Sequence, residues 1–122
     1  MNILFIVLFN LLSASSFGQD EYLARSWPNG NAMVVYTLEE ETSDIIKEQV
    51  FYESGSLDYE GHYQDGVEHG YWCYYWPNGT LKSKEFYQYG LEEGTMFDYD
   101  QSGSKAVKYV YSKGVLIEKV NL

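Results

Sequence analysis

From Leu57 to Tyr63 bulky and polar side chains alternate. Leu57, Tyr59 and Tyr63 share one parity, and Asp58, Glu60 and His62 share the other. The pattern returns with Leu81 and Tyr87 against Lys82 and Lys84, and with Val107, Tyr109 and Tyr111 against Lys108. A period of two marks strands that pack one face and wet the other. Ser83 and Glu85 fall on the bulky parity of the second stretch, so its packed face is only partly apolar. Each stretch follows a turn signal, at Ser54-Gly55, Pro77-Asn78-Gly79 and Ser102-Gly103. Pro presets the first central position of a β-turn, and Asn and Gly tolerate positive φ. One segment, "LEEETSDIIKEQV", competes as a helix through its Glu run. Its Leu38, Ile45, Ile46 and Val50 fall poorly on one helical face.

The chain overlays itself when shifted by 24 residues. Gly55, Gly79 and Gly103 coincide, as do Tyr63, Tyr87 and Tyr111, and Gly66, Gly90 and Gly114. Val67, Leu91 and Val115 follow that last set. Gly70 matches Gly94, but Glu118 stands there in the last copy, as in a capping repeat. Upstream, "WPNG" recurs at Trp27 to Gly30, one residue out of register, and residues 27–50 read as a degenerate first copy. The expected fold is all-β: an antiparallel meander of hairpin repeats forming one elongated twisted sheet. It should run from about Met33 to Asn121 with about eight strands. Residues 1–18 would be a leader, 19–44 an N-terminal segment with the degenerate copy, and 45–122 the repeat sheet. Gly79→Val should then harm the fold more than Gly30→Val, because Gly79 closes the best-formed repeat.

The 24-residue unit resembles the MORN repeat in its bacterial variant form. The family pattern runs G-x-W-x-x-Y-Y-x-N-G-x-L, then Y-x-x-G-x-x-x-G. Gly70-Tyr71-Trp72 and Tyr74-Tyr75-Trp76-Pro77-Asn78-Gly79-Thr80-Leu81 carry the first part, with the aromatic pair one residue early. Tyr87, Gly90 and Gly94 carry the second. Met96 and Glu48 stand at the Trp72 position in the neighbouring copies. The resemblance covers about residues 45 to 117. Proteins with this repeat look like the YwqK-type antitoxin family, which implies a protein that binds and neutralises a toxin.

The chain has 122 residues, which allows one small domain. Thirteen Tyr suit half-buried positions, with the ring packed and the hydroxyl wet. The net charge is −10. Residues 19–100 carry 17 acids against Arg25, Lys47, Lys82 and Lys84, or −13; residues 101–122 carry four Lys against Glu118, or +3. An acidic body repels nucleic acid and anionic lipid, and leaves a basic protein or a neutral polymer as partner. "MNILFIVLFNLLSASSFGQD" reads as an export signal with Ser16 and Gly18 before a cut at Gln19. The n-region lacks Lys and Arg; an uncleaved anchor and a buried apolar strand are the competing readings. Export implies a periplasmic or secreted protein, with no membrane insertion after signal cleavage.

Little here points to catalysis. His62, Asp65, Glu68 and His69 are ligand types a metal accepts, but they read as wet surface groups. Cys73, the single Cys, sits among rings and reads as a small buried hydrophobe. Carboxylates are plentiful, yet no pair stands out, so neither an enzyme nor a cofactor is expected. The rings are different. Trp72, Tyr74 and Trp76 lie on one parity and Tyr71, Cys73 and Tyr75 on the other. A single-layer sheet with rings on both faces can expose one set, and exposed rings mark interaction sites; the competing reading is that the rings are scaffold, covering the sheet against itself or against the N-terminal strands. Trp72, Tyr74 and Trp76 are therefore the partner-binding candidates. The expected function is an exported, non-enzymatic protein-interaction module, with antitoxin or immunity character. The alternative is a carbohydrate or cell-wall binding module that stacks sugars on Trp and Tyr.

Overall fold

The structure, a computed structural model, describes residues 20–122. The leader assigned to residues 1–18 lies outside the described residues. Eleven strands follow in order: β1 (Glu21–Ser26), β2 (Ala32–Leu38), β3 (Ile45–Phe51), β4 (Leu57–Gln64), β5 (Val67–Glu68), β6 (Gly70–Tyr75), β7 (Leu81–Gln88), β8 (Leu91–Glu92), β9 (Gly94–Tyr99), β10 (Ala106–Ser112) and β11 (Val115–Asn121). They form one antiparallel sheet in the order β1-β2-β3-β4-β6-β7-β9-β10-β11, with β5 on β4 and β8 on β7. Nine strands abreast span roughly 40 Å. No described residue is helical, and "LEEETSDIIKEQV" enters β3. The all-β meander is the fold.

The sheet starts earlier than the alternation suggests, at Glu21 rather than near Met33. β1 hides because Tyr22 and Leu23 are adjacent and break the period of two. The turn before β2 is complete: Gly30 N–H donates to Trp27 O at 2.9 Å and Trp27 N–H to Asn31 O at 2.8 Å. Tyr52 with Gly55, Trp76 with Gly79 and Asp100 with Gly103 close the same way. Gly30 and Gly79 hold φ of +90° and +88°, and a Cβ at either would meet nothing within 4 Å. Their strain is alike, which removes the local ground for ranking Gly79→Val above Gly30→Val.

Neighbouring turns are tied together. Trp27 Nε1 donates to Phe51 O at 3.0 Å, Tyr52 Oη to Tyr75 O at 2.7 Å, and Trp76 Nε1 to Tyr99 O at 3.1 Å. Asn29 and Asn78 add side-chain bonds to Glu53 O and Gln101 O. Along the opposite edge run the x-Gly turns. Asp65-Gly66, Tyr89-Gly90 and Lys113-Gly114 all have positive φ at both residues, the type I′ geometry that matches strand twist. Gly90 N–H donates to Glu68 O and Gly114 N–H to Glu92 O, so each turn rests on the one before.

The apolar core is thin. Val35, Leu38, Trp72 and Met96 are the buried hydrophobic residues among those described. Trp72, 6% exposed, lies against the backbone at Gly61, where an added Cβ would sit 2.1 Å from the indole. Tyr63 meets the indole edge-on at 5.3 Å; Tyr59 and Tyr87 flank it at 6.1 and 6.3 Å. Trp72 Nε1 donates to His62 O at 3.1 Å, so the buried ring leaves no orphan donor.

Trp72→Ala should cost about 3–5 kcal/mol, the scale for truncating a buried aromatic. Gly61→Ala should also destabilise strongly, because the methyl must expel the ring. The two should be non-additive: in a Trp72→Ala background Gly61→Ala should be nearly neutral. Denaturant unfolding of the four-member cycle checks this; additive losses would refute the ring-on-glycine contact.

Candidate functional site

Residues opposite one another in an antiparallel pair project from the same face. The register therefore defines a row across the sheet: Tyr22, Tyr36, Glu48 and Gly61, then Trp72 and Glu85, then Met96, Tyr109 and Lys119. The Trp72–Gly61 contact joins the first two segments, and continuing the Lys84–Phe97 pairing joins the last. In the adjacent row Tyr59 pairs with Tyr74, Tyr74 with Ser83, and Ser83 with Asp98. One face of the sheet thus carries tyrosines interspersed with Glu48, Glu85 and Asp98, with Glu68 opposite Tyr63, Glu92 opposite Tyr87 and Lys119 at the β11 edge.

Tyrosine hydroxyls hold Glu48 and Glu85. Tyr59 Oη donates to Glu48 Oε1 at 2.7 Å, and burial and the charge of Glu48 raise Tyr36. Tyr87 Oη donates to Glu85 Oε2 at 2.8 Å, with Ser83 Oγ 3.4 Å from Oε1. Burial and the charge of Asp98 raise Tyr109. Burial, followed by the hydrogen bond to Glu48 and its charge, pushes Tyr59 well above the usual tyrosine range. Burial and the Glu85 hydrogen bond do the same for Tyr87. Burial and the charge of Glu85 raise Tyr74 to about 12. These phenols are fixed donors at neutral pH, and they orient the carboxylates without neutralising them.

Two open grooves flank Trp72. One, of about 380 Å³, is lined by Tyr74, Trp76, Lys82, Ser83, Glu85, Asp98 and Tyr99. The other, of about 420 Å³, is lined by Tyr36, Ser43, Asp44, Ile45, Glu48, Tyr63 and Gly66. Three lysines stand on the opposite face: Lys47 opposite His62, Lys84 opposite Cys73, and Lys108 opposite Phe97. There Lys47 lies 3.9 Å from Glu21 and Lys108 lies 3.1 Å from Glu118.

The three candidate rings take different places. Trp72 is core, and its assignment as a partner-contact ring is corrected by its burial. Trp76 spans two turns through its bond to Tyr99 O, and Lys82 Nζ covers its ring at 4.7 Å. Tyr74 is half-buried, stands 5.4 Å from Tyr59, and lines the first groove. Glu48, Glu85 and Asp98 are the members that sequence reasoning passed over. Their signal was parity, since Glu85 interrupts the packed alternation of β7. Cys73 lies half-buried on the other face, and burial pushes its thiol up, away from reactivity. His62 Nδ1 lies 3.2 Å from Tyr71 O, and His69 Nδ1 accepts Tyr89 N–H at 3.3 Å. No group of three or more His, Cys, Asp or Glu converges as a metal site among the described residues, and no described helix is long and apolar enough to cross a membrane.

Against known families, residues 46–65 and 68–89 match the MORN repeat variant. These segments are the β3–β4 hairpin and the run from β5 through β7. Comparison with curated proteins gave no match, and comparison with solved structures gave none.

The raised tyrosines set an alkaline limit. Tyr59, Tyr74 and Tyr87 bind protons more tightly folded than unfolded, so their contribution is complete below pH 10.0, the ordinary tyrosine value. Above it the unfolded state ionises first and stability falls as pH rises through the folded values. Urea midpoints should therefore drop steeply above pH 10, with part of the phenolate absorbance appearing only on unfolding. Complete tyrosine ionisation in the folded state near pH 10 would refute the burial of these phenols.

Proposed function

We propose that the chain is an exported, non-enzymatic module that binds a basic segment of a protein partner on its tyrosine–carboxylate face. The observation that carries this reading is the presentation of Glu48, Glu85 and Asp98 on one side of a rigid sheet. Glu48 and Glu85 are each held by a tyrosine hydroxyl and retain acceptor capacity. A carboxylate oriented in advance loses little entropy when a Lys or Arg arrives, and the half-buried rings accept the cation's apolar stem. Lys82 over Trp76 already makes a contact of this kind within the chain. The −13 body steers the same partners by long-range attraction.

The match to the MORN repeat variant supports a scaffold for protein interaction. A basic toxin is the partner class that the resemblance to YwqK-type antitoxins suggests, and the apolar run at Ile3–Leu12 supports a periplasmic or secreted site of action. The carbohydrate reading has less support: it needs open ring platforms, whereas Trp72 is buried and Trp76 is capped by Lys82.

A pull-down from envelope extract, read by mass spectrometry, tests the proposal. Wild-type protein should recover one or more basic proteins. Glu48→Gln/Glu85→Gln should weaken their binding by about tenfold or more, the scale for truncating one partner of an oriented charge pair. Its fold should survive, because the amide oxygen still accepts from tyrosine. Undiminished binding by a folded double variant would overturn the assignment of this face.

A further inference from the structure

Asparagine ties the turns at Gly30, Gly55, Gly79 and Gly103 together in pairs. In the first turn Asn29 Nδ2 donates to Glu53 O of the second at 2.9 Å, and its Oδ1 accepts Asn31 N–H at 2.9 Å. In the third, Asn78 Nδ2 donates to Gln101 O of the fourth at 3.1 Å, and its Oδ1 accepts Thr80 N–H at 3.0 Å. The residue two places on reaches the same carbonyl. Asn31 Nδ2 donates to Glu53 O at 2.8 Å, and Thr80 Oγ1 lies 3.0 Å from Gln101 O and 2.7 Å from Asn78 Oδ1. Ser54 and Ser102 hold the asparagine position in the second and fourth turns, and their hydroxyls bond to Ser56 and to Asp100 and Ser104 of their own turns. Asparagine followed by glycine carries a chemical liability: the deprotonated glycine nitrogen can attack the asparagine Cγ, and no side chain stands in its way. Asn29-Gly30 and Asn78-Gly79 are the two such pairs in the sequence, and both asparagines are exposed. In the fold every reacting group is committed elsewhere. Gly30 N–H is held by Trp27 O at 2.9 Å and Gly79 N–H by Trp76 O at 2.8 Å, so the proton that must leave is the one that closes the turn. The carboxamide that must swing toward that nitrogen is bonded through both its oxygen and its nitrogen.

We propose that Asn29 and Asn78 are deamidation sites guarded by the fold: each reacts only when its turn lets go of the next one, and the reaction makes that release permanent. The step needs water and base alone. Hydroxide takes the glycine amide proton, the bond from nitrogen to Cγ forms, the bond from Cγ to Nδ2 breaks, and Nδ2 leaves as ammonia. Water then opens the succinimide to aspartate or isoaspartate. Neither product has an Nδ2 donor, and a carboxylate is acceptor-only. Its second oxygen would face Gln101 O or Glu53 O, acceptor against acceptor, so the tie cannot re-form. Each event also adds a negative charge to a chain already at −10. Opening is local, because each site has its own guard. Trp27 Nε1 on Phe51 O joins the same two turns as Asn29, and Trp76 Nε1 on Tyr99 O joins the same two as Asn78. The inference is independent of the partner-binding reading.

Peptide mapping by mass spectrometry on the full chain, held in mildly alkaline buffer, reads both sites. Asn29 and Asn78 should convert at least about tenfold more slowly in the folded chain than in the same chain unfolded in guanidinium. Trp76→Phe removes the indole donor and keeps a ring in place. It should speed conversion of Asn78 by about threefold or more, the scale of one hydrogen bond, and leave Asn29 at its wild-type rate. Trp27→Phe should do the reverse. Asn78→Asp, which stands for the product, should lower the urea midpoint relative to wild type. Equal rates in the folded and unfolded chain would overturn the proposal. So would a Trp76→Phe variant that speeds both sites alike, because global unfolding would then be the route, or one that speeds neither. A wild-type midpoint for Asn78→Asp would overturn the permanent release.

Discussion

The indole of Trp72 against the backbone of Gly61 is the contact on which the rest depends. A single-layer sheet has no second layer to bury its side chains against, so apolar area must be buried within the face itself. A ring can do this only by lying over a neighbouring strand, and it can lie there only where that strand has no side chain. Gly61 supplies the vacancy, and Tyr59, Tyr63 and Tyr87 close around the ring. Those tyrosines are then part-buried, and their hydroxyls need acceptors. Glu48 and Glu85 are the acceptors for Tyr59 and Tyr87, so the packing solution and the charge pattern of the face have one origin.

The edges complete what the face begins. Backbone ladders alone permit slippage where both faces are half polar. Here Trp27, Tyr52 and Trp76 each tie one turn to a carbonyl of the next, and the x-Gly turns do the same on the far edge. Every tie reaches one repeat and no further. The molecule is therefore quasi-one-dimensional, with stability passed from neighbour to neighbour.

This division explains what the sequence disclosed. The turns, the repeat register and the antiparallel meander rest on local chemistry, so they were legible at Pro77-Asn78-Gly79 and in the tyrosine spacing. β1 was missed because its two bulky residues are adjacent and its pairing with β2 decides its state. The role of Trp72 was hidden by rings on both parities of β6, and alternation cannot say which set lies inward. The readable cue was Gly61, a glycine in mid-strand opposite that ring. Glu85 was noticed as a fault in the alternation, and such faults mark where a requirement other than packing is met.

That last point bears on why this face reads as a binding surface. Glu48 occupies the repeat position held by Trp72 and Met96, and Glu85 occupies the one held by Gly61. Filled for stability alone, these places would take another ring and another glycine, and the thin core would thicken. The chain instead sets two carboxylates three strands apart, about 14 Å, on either side of its one buried indole. Like charges on one side of a sheet cost stability, and the supporting tyrosines orient them without cancelling them. Lys47, Lys84 and Lys108 stand on the opposite face, while Lys82 shares a groove with Glu85 and Asp98 and Lys119 ends the row. The oriented negative surface that results is the feature on which the proposed binding of a basic segment rests.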